Sequence, residues 1–91
     1  NEVPETYLLK QNYPNPFNPE TVIEFSIPKN EFVELKIYDA VGNEISVLES
    51  GNLNAGSYSY KLSAESLSSG IYFYTLKTSD FTETKKMMIL K

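Results

Sequence analysis

The side chains that could do chemistry in this chain are its carboxylates and its tyrosines. Its 91 residues include twelve Asp and Glu and seven Tyr, with no His and no Cys. Without imidazole or thiol groups, the chain has no Cys nucleophile, no imidazole dyad and no His or Cys ligand for zinc or copper. The carboxylates are scattered, and no two have the spacing that general acid and base catalysis requires. We therefore predict no catalytic residue, no metal site and no cofactor.

Two small clusters offer alternatives to that prediction. Asp39, Asn43 and Glu44 surround one hairpin and could supply oxygen ligands to Ca²⁺, but their spacing differs from an EF-hand loop and favours a turn role. Tyr38 and Phe73 are candidates for the outer surface, where planar aromatic rings can stack on sugars. The chain has no Trp and most of its tyrosines alternate inward, which favours ordinary core packing.

The composition limits both the fold and the partners. Apolar residues make up 41% of the chain and charged residues 22%, which is typical of one small folded domain. Seven Tyr and five Phe favour strands over helices. The net charge of −4 argues against nucleic acid and against anionic membranes as partners. No apolar run approaches the roughly 18 to 20 residues that span a bilayer, so we expect no membrane insertion.

Hydrophobic alternation predicts the strands that position these side chains. Two segments alternate with a period of two, which is typical of half-buried strands. The inward positions of residues 21–27 and 32–39 are Thr21, Ile23, Phe25, Ile27, Val33, Leu35 and Ile37. Residues 40–43 form a predicted hairpin loop in which Gly42 can adopt a positive φ without a steric cost. The strand that follows, residues 43–49, is predicted to point Ile45 and Val47 inward.

The second half of the chain predicts a tyrosine corner and further strands. Residues 51–56 form a predicted turn cluster. The L-x-x-G-x-Y spacing of residues 67–72 is typical of the corner, in which the Tyr72 hydroxyl bonds to upstream backbone and Gly70 supplies the bend. The remaining strands are predicted at residues 57–62, 70–77 and 81–91, and the predicted buried row of residues 70–77 is Tyr72, Tyr74 and Leu76. With a marginal first strand at residues 7–10, the predicted fold class is an all-β, immunoglobulin-like antiparallel β-sandwich of about seven strands.

A proline-rich segment precedes the first long strand. Its members are Asn12, Tyr13, Pro14, Asn15, Pro16, Phe17, Asn18 and Pro19. Each proline fixes its own φ at about −65° and removes a backbone donor, so no helix or central strand can run through the segment. We interpret the segment as a stiff connector tucked under a sandwich edge, with Tyr13 and Phe17 docked onto the domain that follows.

The last predicted strand is apolar on both faces. Met87 and Ile89 lie on one face and Met88 and Leu90 on the other, and lysines flank the run. Proteins usually protect an apolar edge strand with open hydrogen-bonding groups by placing charge on it. One interpretation is a strand that the rest of the domain covers. The other is an edge that accepts a partner by strand addition.

Five blocks of the sequence together carry a family resemblance. They read NYPNPFNP, TVIEFSIP, YDAVGNEI, SSGIYFYTL and KKMMILK. In this order and at these separations, they resemble the type A C-terminal sorting domain of the type IX secretion system, which exports proteins across the outer membrane in Bacteroidetes and related bacteria. The resemblance extends over residues 9–91, and it implies that residues 1–8 are a linker from an upstream cargo domain.

The resemblance implies an immunoglobulin-like sandwich that is a non-catalytic export signal. The protein that carries it would reach the cell surface or the medium through the periplasm. The implied partners are the outer-membrane translocon, its shuttle protein and a surface sortase that removes the domain. The implied recognition element is Lys86, Met87, Met88, Ile89, Leu90 and Lys91. The proline-rich segment, together with Gly42, Gly70 and Tyr72, is expected to serve the fold.

Two other classes of function stay open from the sequence. A structural spacer of the fibronectin type would show the same sandwich, but it would have no use for an apolar, lysine-flanked last strand. A glycan-binding module would be retained on polysaccharide columns. The chain does not begin with Met and shows no signal peptide, so we expect it to be part of a longer protein.

Overall fold

Seven β-strands form the part of the chain that the structure describes. The computed structural model describes residues 3–91. The strands are β1 (Leu8–Leu9), β2 (Glu20–Ile27), β3 (Glu31–Asp39), β4 (Glu44–Leu53), β5 (Gly56–Ser63), β6 (Gly70–Lys77) and β7 (Thr82–Ile89). Within residues 3–91, no helix is long and apolar enough to cross a membrane. The predicted all-β class is confirmed.

The strands pair into two antiparallel sheets that enclose one core. The smaller sheet has the order β1-β2-β5, and the larger one has the order β4-β3-β6-β7. This arrangement confirms the predicted sandwich of about seven strands. In the constant-type immunoglobulin arrangement, the fourth strand belongs to the sheet of the first, second and fifth strands. Here β4 extends the sheet of β3, β6 and β7 instead.

The core is built from alternate positions of the strands. Its buried apolar members are Leu9, Phe17, Ile23, Phe25, Ile27, Val33, Leu35, Ile37, Leu62, Ala64, Tyr72, Tyr74, Leu76, Met87 and Ile89. The predicted inward positions of β2, β3 and β6 are therefore confirmed. Burial of one such large side chain contributes about 1.5–3 kcal/mol, which makes this cluster the main stabilising element. Phe25 adds ring stacking, since its centroid lies 5.5 Å from Tyr58 and 5.7 Å from Tyr60.

β4 departs from the predicted alternation. The expectation that Ile45 and Val47 point inward is wrong, since the two side chains are 37% and 46% exposed. The ladder with β3 shifts register twice, which leaves Ile45 and Leu48 without partners on β3. Each bulge inserts one residue, so the side chains that follow it change face. Leu48 packs against the core in place of the predicted residues.

The turn cluster predicted at residues 51–56 is also wrong. β4 continues through this stretch to Leu53, where it still pairs with Glu31, and β5 begins at Gly56. Only Asn54 and Ala55 remain between the two strands. A polar, glycine-containing stretch reads as a turn from its composition alone, but here the pairing with β3 continues through it.

A tyrosine side chain makes a tertiary contact at each edge of the sandwich. The Tyr7 ring stacks on Phe81 with a centroid distance of 4.8 Å, and its hydroxyl donates to Glu31 Oε2 at 2.7 Å. At the opposite edge, the Tyr60 hydroxyl donates to Glu49 Oε1 at 2.6 Å and joins β5 to β4. Pairing starts at Leu8, one residue before the predicted boundary between linker and domain. Residues 1 and 2 of that linker lie outside the described residues.

Candidate functional site

The proline-rich segment lies along the outer edge of β7. The Phe17 amide donates to the Met88 carbonyl at 3.1 Å, and the Leu90 amide donates to the Phe17 carbonyl at 3.2 Å. These two bonds flank Ile89 and form a parallel β-bridge between Phe17 and Ile89. The structure therefore brings together two elements that lie some 70 residues apart in the sequence.

Two polar side chains extend this closure of the edge. The Met88 amide donates to Asn15 Oδ1 at 2.9 Å, and Gln11 Nε2 donates to the Lys86 carbonyl at 2.7 Å. Outward-facing backbone groups from the Lys86 carbonyl to the Leu90 amide are thus already bonded within the domain. The idea that a partner adds a strand to an open edge here is wrong for this conformation. Of the two interpretations of the last strand, the covered one is correct over these residues.

The two aromatic side chains of the proline-rich segment have opposite environments. Phe17 is 2% exposed and belongs to the core, which confirms that its ring is docked. Tyr13 is 81% exposed, so the expectation that its ring is docked is wrong. The backbone of Tyr13 is nevertheless fixed, because it exchanges two hydrogen bonds with Val22 at 2.9 and 3.0 Å. The residue before each proline favours extended backbone, which suits this bridge.

Asn12 holds the start of the proline-rich segment from inside the domain. Its side-chain nitrogen donates to the Pro14 carbonyl at 3.1 Å and to Thr21 Oγ1 at 3.0 Å. Thr21 Oγ1 in turn donates to the Pro14 carbonyl at 2.8 Å. Asn12 and Thr21 are both buried, and a buried polar group without a partner costs about 1–3 kcal/mol. Satisfying these groups therefore fixes the path of the segment.

A tyrosine hydroxyl of β6 completes this network. The Tyr74 hydroxyl accepts a hydrogen bond from the Asn12 amide and donates one to the Lys10 carbonyl, both at 2.7 Å. Burial raises the pKa of Tyr74 to about 12, so the hydroxyl stays protonated and able to donate at neutral pH. Sequence reasoning missed this role for Tyr74 and the roles of Gln11 and Thr21. The one available signal was a polar residue, Thr21, at an inward strand position.

The other residues of the segment lie at the surface. The exposed members are Tyr13, Pro14, Asn15, Pro16, Asn18 and Pro19. They contribute mainly through backbone groups, as where the Pro19 carbonyl accepts a hydrogen bond from the Ala64 amide at 2.7 Å. The expected structural role of the segment thus divides between buried Asn12 and Phe17 and a fixed backbone around them.

The tyrosine corner is present. The Tyr72 hydroxyl donates to the Ser68 carbonyl at 2.8 Å, four residues upstream, as predicted. Gly70 lies between them with a φ of 149°, a conformation that side-chain-bearing residues rarely adopt. The corner therefore fixes the turn that leads into β6, the strand that pairs with β7.

The hairpin between β3 and β4 uses Asp39 as a turn residue. Asp39 Oδ1 accepts from the Asn43 amide at 2.9 Å, and Oδ2 accepts from Asn43 Nδ2 at 3.1 Å. The hydrogen bond from the Asn43 backbone lowers the pKa of Asp39. Gly42 has a φ of 96°, as predicted, and Glu44 pairs with Lys36 at 3.2 Å. Among residues 3–91, no group of three or more His, Cys, Asp or Glu side chains could hold a metal.

The predicted recognition element, residues 86–91, which we call the terminal block, is divided between core and surface. Met87 and Ile89 are fully buried, so they cannot touch a partner of the folded domain. The members that reach the surface are Lys86, Met88, Leu90 and Lys91. The Lys91 amide donates to Ser69 Oγ at 2.9 Å, and its ammonium donates to the Glu65 carbonyl at 3.1 Å. What the folded domain presents here is two lysines and two apolar side chains.

Lys86 and Lys91 also differ from most lysines of the chain in their charge pairing. Five lysines form ion pairs, which are Lys10–Glu24, Lys29–Asp80, Lys36 with Glu34 and Glu44, Lys61–Glu20, and Lys85–Glu83. Within residues 3–91, no ion pair involves Lys77, Lys86 or Lys91. Two of the three unpaired ammonium groups therefore lie in the terminal block.

The comparison with known families covers the five sequence blocks, up to residue 90, in one match. Residues 11–90 match the family model of the secretion-system C-terminal sorting domain, which is the sorting domain of type IX secretion. No curated protein matches the chain. The matched range starts before the proline-rich segment and ends within the terminal block, so it contains both sides of the closed edge. Domains of this family are in general non-catalytic, and they mark secreted or cell-surface proteins. The chain belongs to the family of secretion-system C-terminal sorting domains.

Proposed function

We propose that this sorting domain is a non-catalytic signal that the outer-membrane translocon and the shuttle protein of the type IX system recognise through its terminal block. The observation that carries the proposal is the division of that block. Met87 and Ile89 anchor it in the core, and the unpaired ammonium groups of Lys86 and Lys91 lie outside. A fixed strand whose ammonium groups form no ion pair presents a defined charged surface to a protein partner.

The absence of catalysis by the domain itself is part of the proposal. The carboxylates in ion pairs all face lysines, and Asp39 is bonded within its own turn. The spacing of the carboxylates in the sequence also does not suit general acid and base catalysis. Any covalent step, including removal of the domain, would then belong to a surface sortase.

The same proposal includes the route of the attached protein. Residues 1–8 would link an upstream cargo domain to the sandwich, and the cargo would pass from the periplasm to the cell surface or the medium. Packing of Tyr7 against Phe81 limits sortase access, because residues from Tyr7 onward are held in the domain. Cleavage would therefore fall before Tyr7.

Charge reversal at the terminal block tests the proposal. Residues 1–91 are fused behind a periplasmic reporter in a bacterium with a type IX system, and export is compared between Lys86→Glu/Lys91→Glu and the parent. Both lysines are exposed, so the fold should stay intact while export is lost. Deleting residues 86–91 would be less informative, because it removes buried Met87 and Ile89 as well.

The matched control is Lys61→Glu/Lys77→Glu, which changes the net charge by the same amount at two other exposed lysines. It should leave export unchanged. Equal loss of export in both variants would assign the effect to overall charge and contradict recognition by the terminal block. If the intact fusion is folded but stays in the periplasm, the structural-spacer interpretation takes the place of the sorting signal.

A further inference from the structure

The outer face of the larger sheet carries an apolar patch beside the terminal block. Residues paired across strands share a face, and Tyr38 lies opposite Phe73, which lies opposite Lys86. In the next row, Ile71 lies opposite Met88. Leu90 comes directly after the end of β7, two residues beyond Met88. We call this set the outer patch, defined as Tyr38, Ile71, Phe73, Lys86, Met88 and Leu90.

The apolar side chains of the outer patch lie outside the core cluster. Ile71 is 37% exposed and Leu90 is 57% exposed, whereas Tyr38, Phe73 and Met88 are half-buried. A solvated outer face of an antiparallel sheet normally carries polar residues in the alternate positions. A contiguous exposed apolar patch with a polar rim marks an interaction surface.

The outer face of the smaller sheet provides an internal comparison. Its cross-strand pairs are polar or mixed, namely Glu20 with Ser63, Val22 with Lys61, and Glu24 with Ser59. Two of its lysines, Lys10 and Lys61, pair with carboxylates. The outer faces of the two sheets therefore differ in their side chains. On the larger sheet, apolar cross-strand pairs lie next to lysines that form no ion pair.

Charge indicates the kind of surface that would cover the outer patch. Lys86 lies within the patch and Lys91 follows Leu90, and neither forms an ion pair within residues 3–91. The chain as a whole is acidic, with a net charge of −4. An apolar partner surface with carboxylates at its rim would complement the patch, whereas a second copy of this acidic chain would add like charges.

We propose that the outer patch is the docking surface for a component of the type IX machinery, a protein with an apolar contact area rimmed by carboxylates. This inference rests on the proposed sorting function and makes it more specific. Backbone groups from the Lys86 carbonyl to the Leu90 amide are already bonded to Gln11, Asn15 and Phe17. Recognition therefore uses side chains of the sheet face. Tyr38 and Ile71 contribute to it from β3 and β6, outside the terminal block.

Export of the reporter fusion tests the patch with a variant that changes two of its apolar residues and none of the lysines. Ile71→Thr/Leu90→Thr removes two exposed apolar side chains, and threonine keeps the strand preference at position 71. We expect export to fall by at least about tenfold, as for loss of central apolar contacts in an interface. The control is Leu8→Thr/Val47→Thr, at two side chains that are each 46% exposed and lie outside the patch. It should be exported like the parent.

The outcomes separate this inference from the proposed function. Urea unfolding of the purified fusions checks that both double variants keep the parent midpoint. Parent-like export of a folded Ile71→Thr/Leu90→Thr variant, with the intact fusion exported, overturns the docking surface and leaves the sorting function standing. If the intact fusion is folded and not exported, the sorting function is wrong, and the docking surface fails with it.

Site-specific crosslinking identifies the occupant of the patch. A photoreactive benzophenone side chain replaces Ile71 in one fusion and Leu8 in the matched control. Illumination of living cells should join the position-71 fusion to a type IX protein, and it should not do so at position 8. The yield should fall with added salt, because the contact includes lysine–carboxylate attraction. A crosslink only to lipid or only to a second copy of the fusion contradicts the proposal.

Discussion

Phe17 and Ile89 form a parallel β-bridge that closes the edge of the larger sheet. Two hydrogen bonds of 3.1 and 3.2 Å define it, and both side chains are buried in the same core. An edge strand that ends in apolar residues is normally prone to unwanted pairing. The bridge satisfies the edge from within the chain, so the terminal strand can be apolar without offering its backbone to other molecules.

The two aromatic residues of the proline-rich segment should respond differently to truncation. Phe17→Ala should lower the free energy of unfolding by about 3–5 kcal/mol, because it empties a buried site and loosens the bridge to Ile89. Tyr13→Ala should change it by less than about 0.5 kcal/mol, since the ring is exposed. Urea denaturation of both variants measures the difference. Equal midpoints for the two variants would show that Phe17 is not anchored in the core in solution.

The closed edge predicts a pattern of amide hydrogen exchange along β7. The Met88 and Leu90 amides are bonded to Asn15 and Phe17, whereas no partner is present for the outward-facing Thr84 amide within residues 3–91. Met88 and Leu90 should exchange at least about tenfold more slowly than Thr84.

The Asn15→Ala variant provides the matched test for one of these bonds. It removes the acceptor of the Met88 amide and leaves the Leu90 bond in place, so only the Met88 amide should exchange faster. Similar exchange of Thr84, Met88 and Leu90 in the parent would mean that the edge is open.

The tyrosine corner should contribute modestly to stability. Tyr72→Phe removes the hydrogen bond to the Ser68 carbonyl and should cost about 0.5–1.5 kcal/mol. The cost stays at this level because Ser68 lies at the surface, where water can replace the lost donor. An unchanged midpoint of thermal or urea unfolding would indicate that the corner bond adds nothing in solution.

Tyr74 should make the domain sensitive to alkaline pH. Burial raises its pKa to about 12 from the usual 10.0, so the unfolded chain releases this proton at lower pH than the folded chain. The stabilising effect of the protonated Tyr74 hydroxyl is fully present below pH 10, and it is lost as the pH rises from about 10 to 12, by up to about 2–3 kcal/mol.

The Tyr74 hydroxyl also accepts the hydrogen bond of the buried Asn12 amide. Tyr74→Phe should therefore cost about 1–3 kcal/mol of stability at neutral pH.

The difference in the free energy of unfolding between the parent and Tyr74→Phe separates the titration of Tyr74 from that of the other tyrosines and the lysines. Their free energies of unfolding should converge between pH 9 and pH 12, because only the parent loses the contribution of this hydroxyl. A gap that stays constant or widens over that range would contradict the assignment of the raised pKa to Tyr74.

Local patterns predicted most strands, and pairing over long distances explains what they missed. Alternation placed the buried faces of β2, β3 and β6 correctly, because each runs without a bulge on its inward side. It failed for Ile45 and Val47, since a bulge depends on the partner strand and has no local signature. The closure of β7 by Phe17 was not predictable either, because neither segment indicates the register of a contact across the whole chain.

The dependence of export on the type IX translocon is the most direct test of the central claim. A periplasmic reporter carrying residues 1–91 is expressed in a bacterium with the intact system and in the same bacterium without its translocon. We expect the reporter at the cell surface or in the medium in the first strain, and folded in the periplasm in the second. The same location in both strains, with the domain folded, would contradict the account of this chain as a type IX sorting signal.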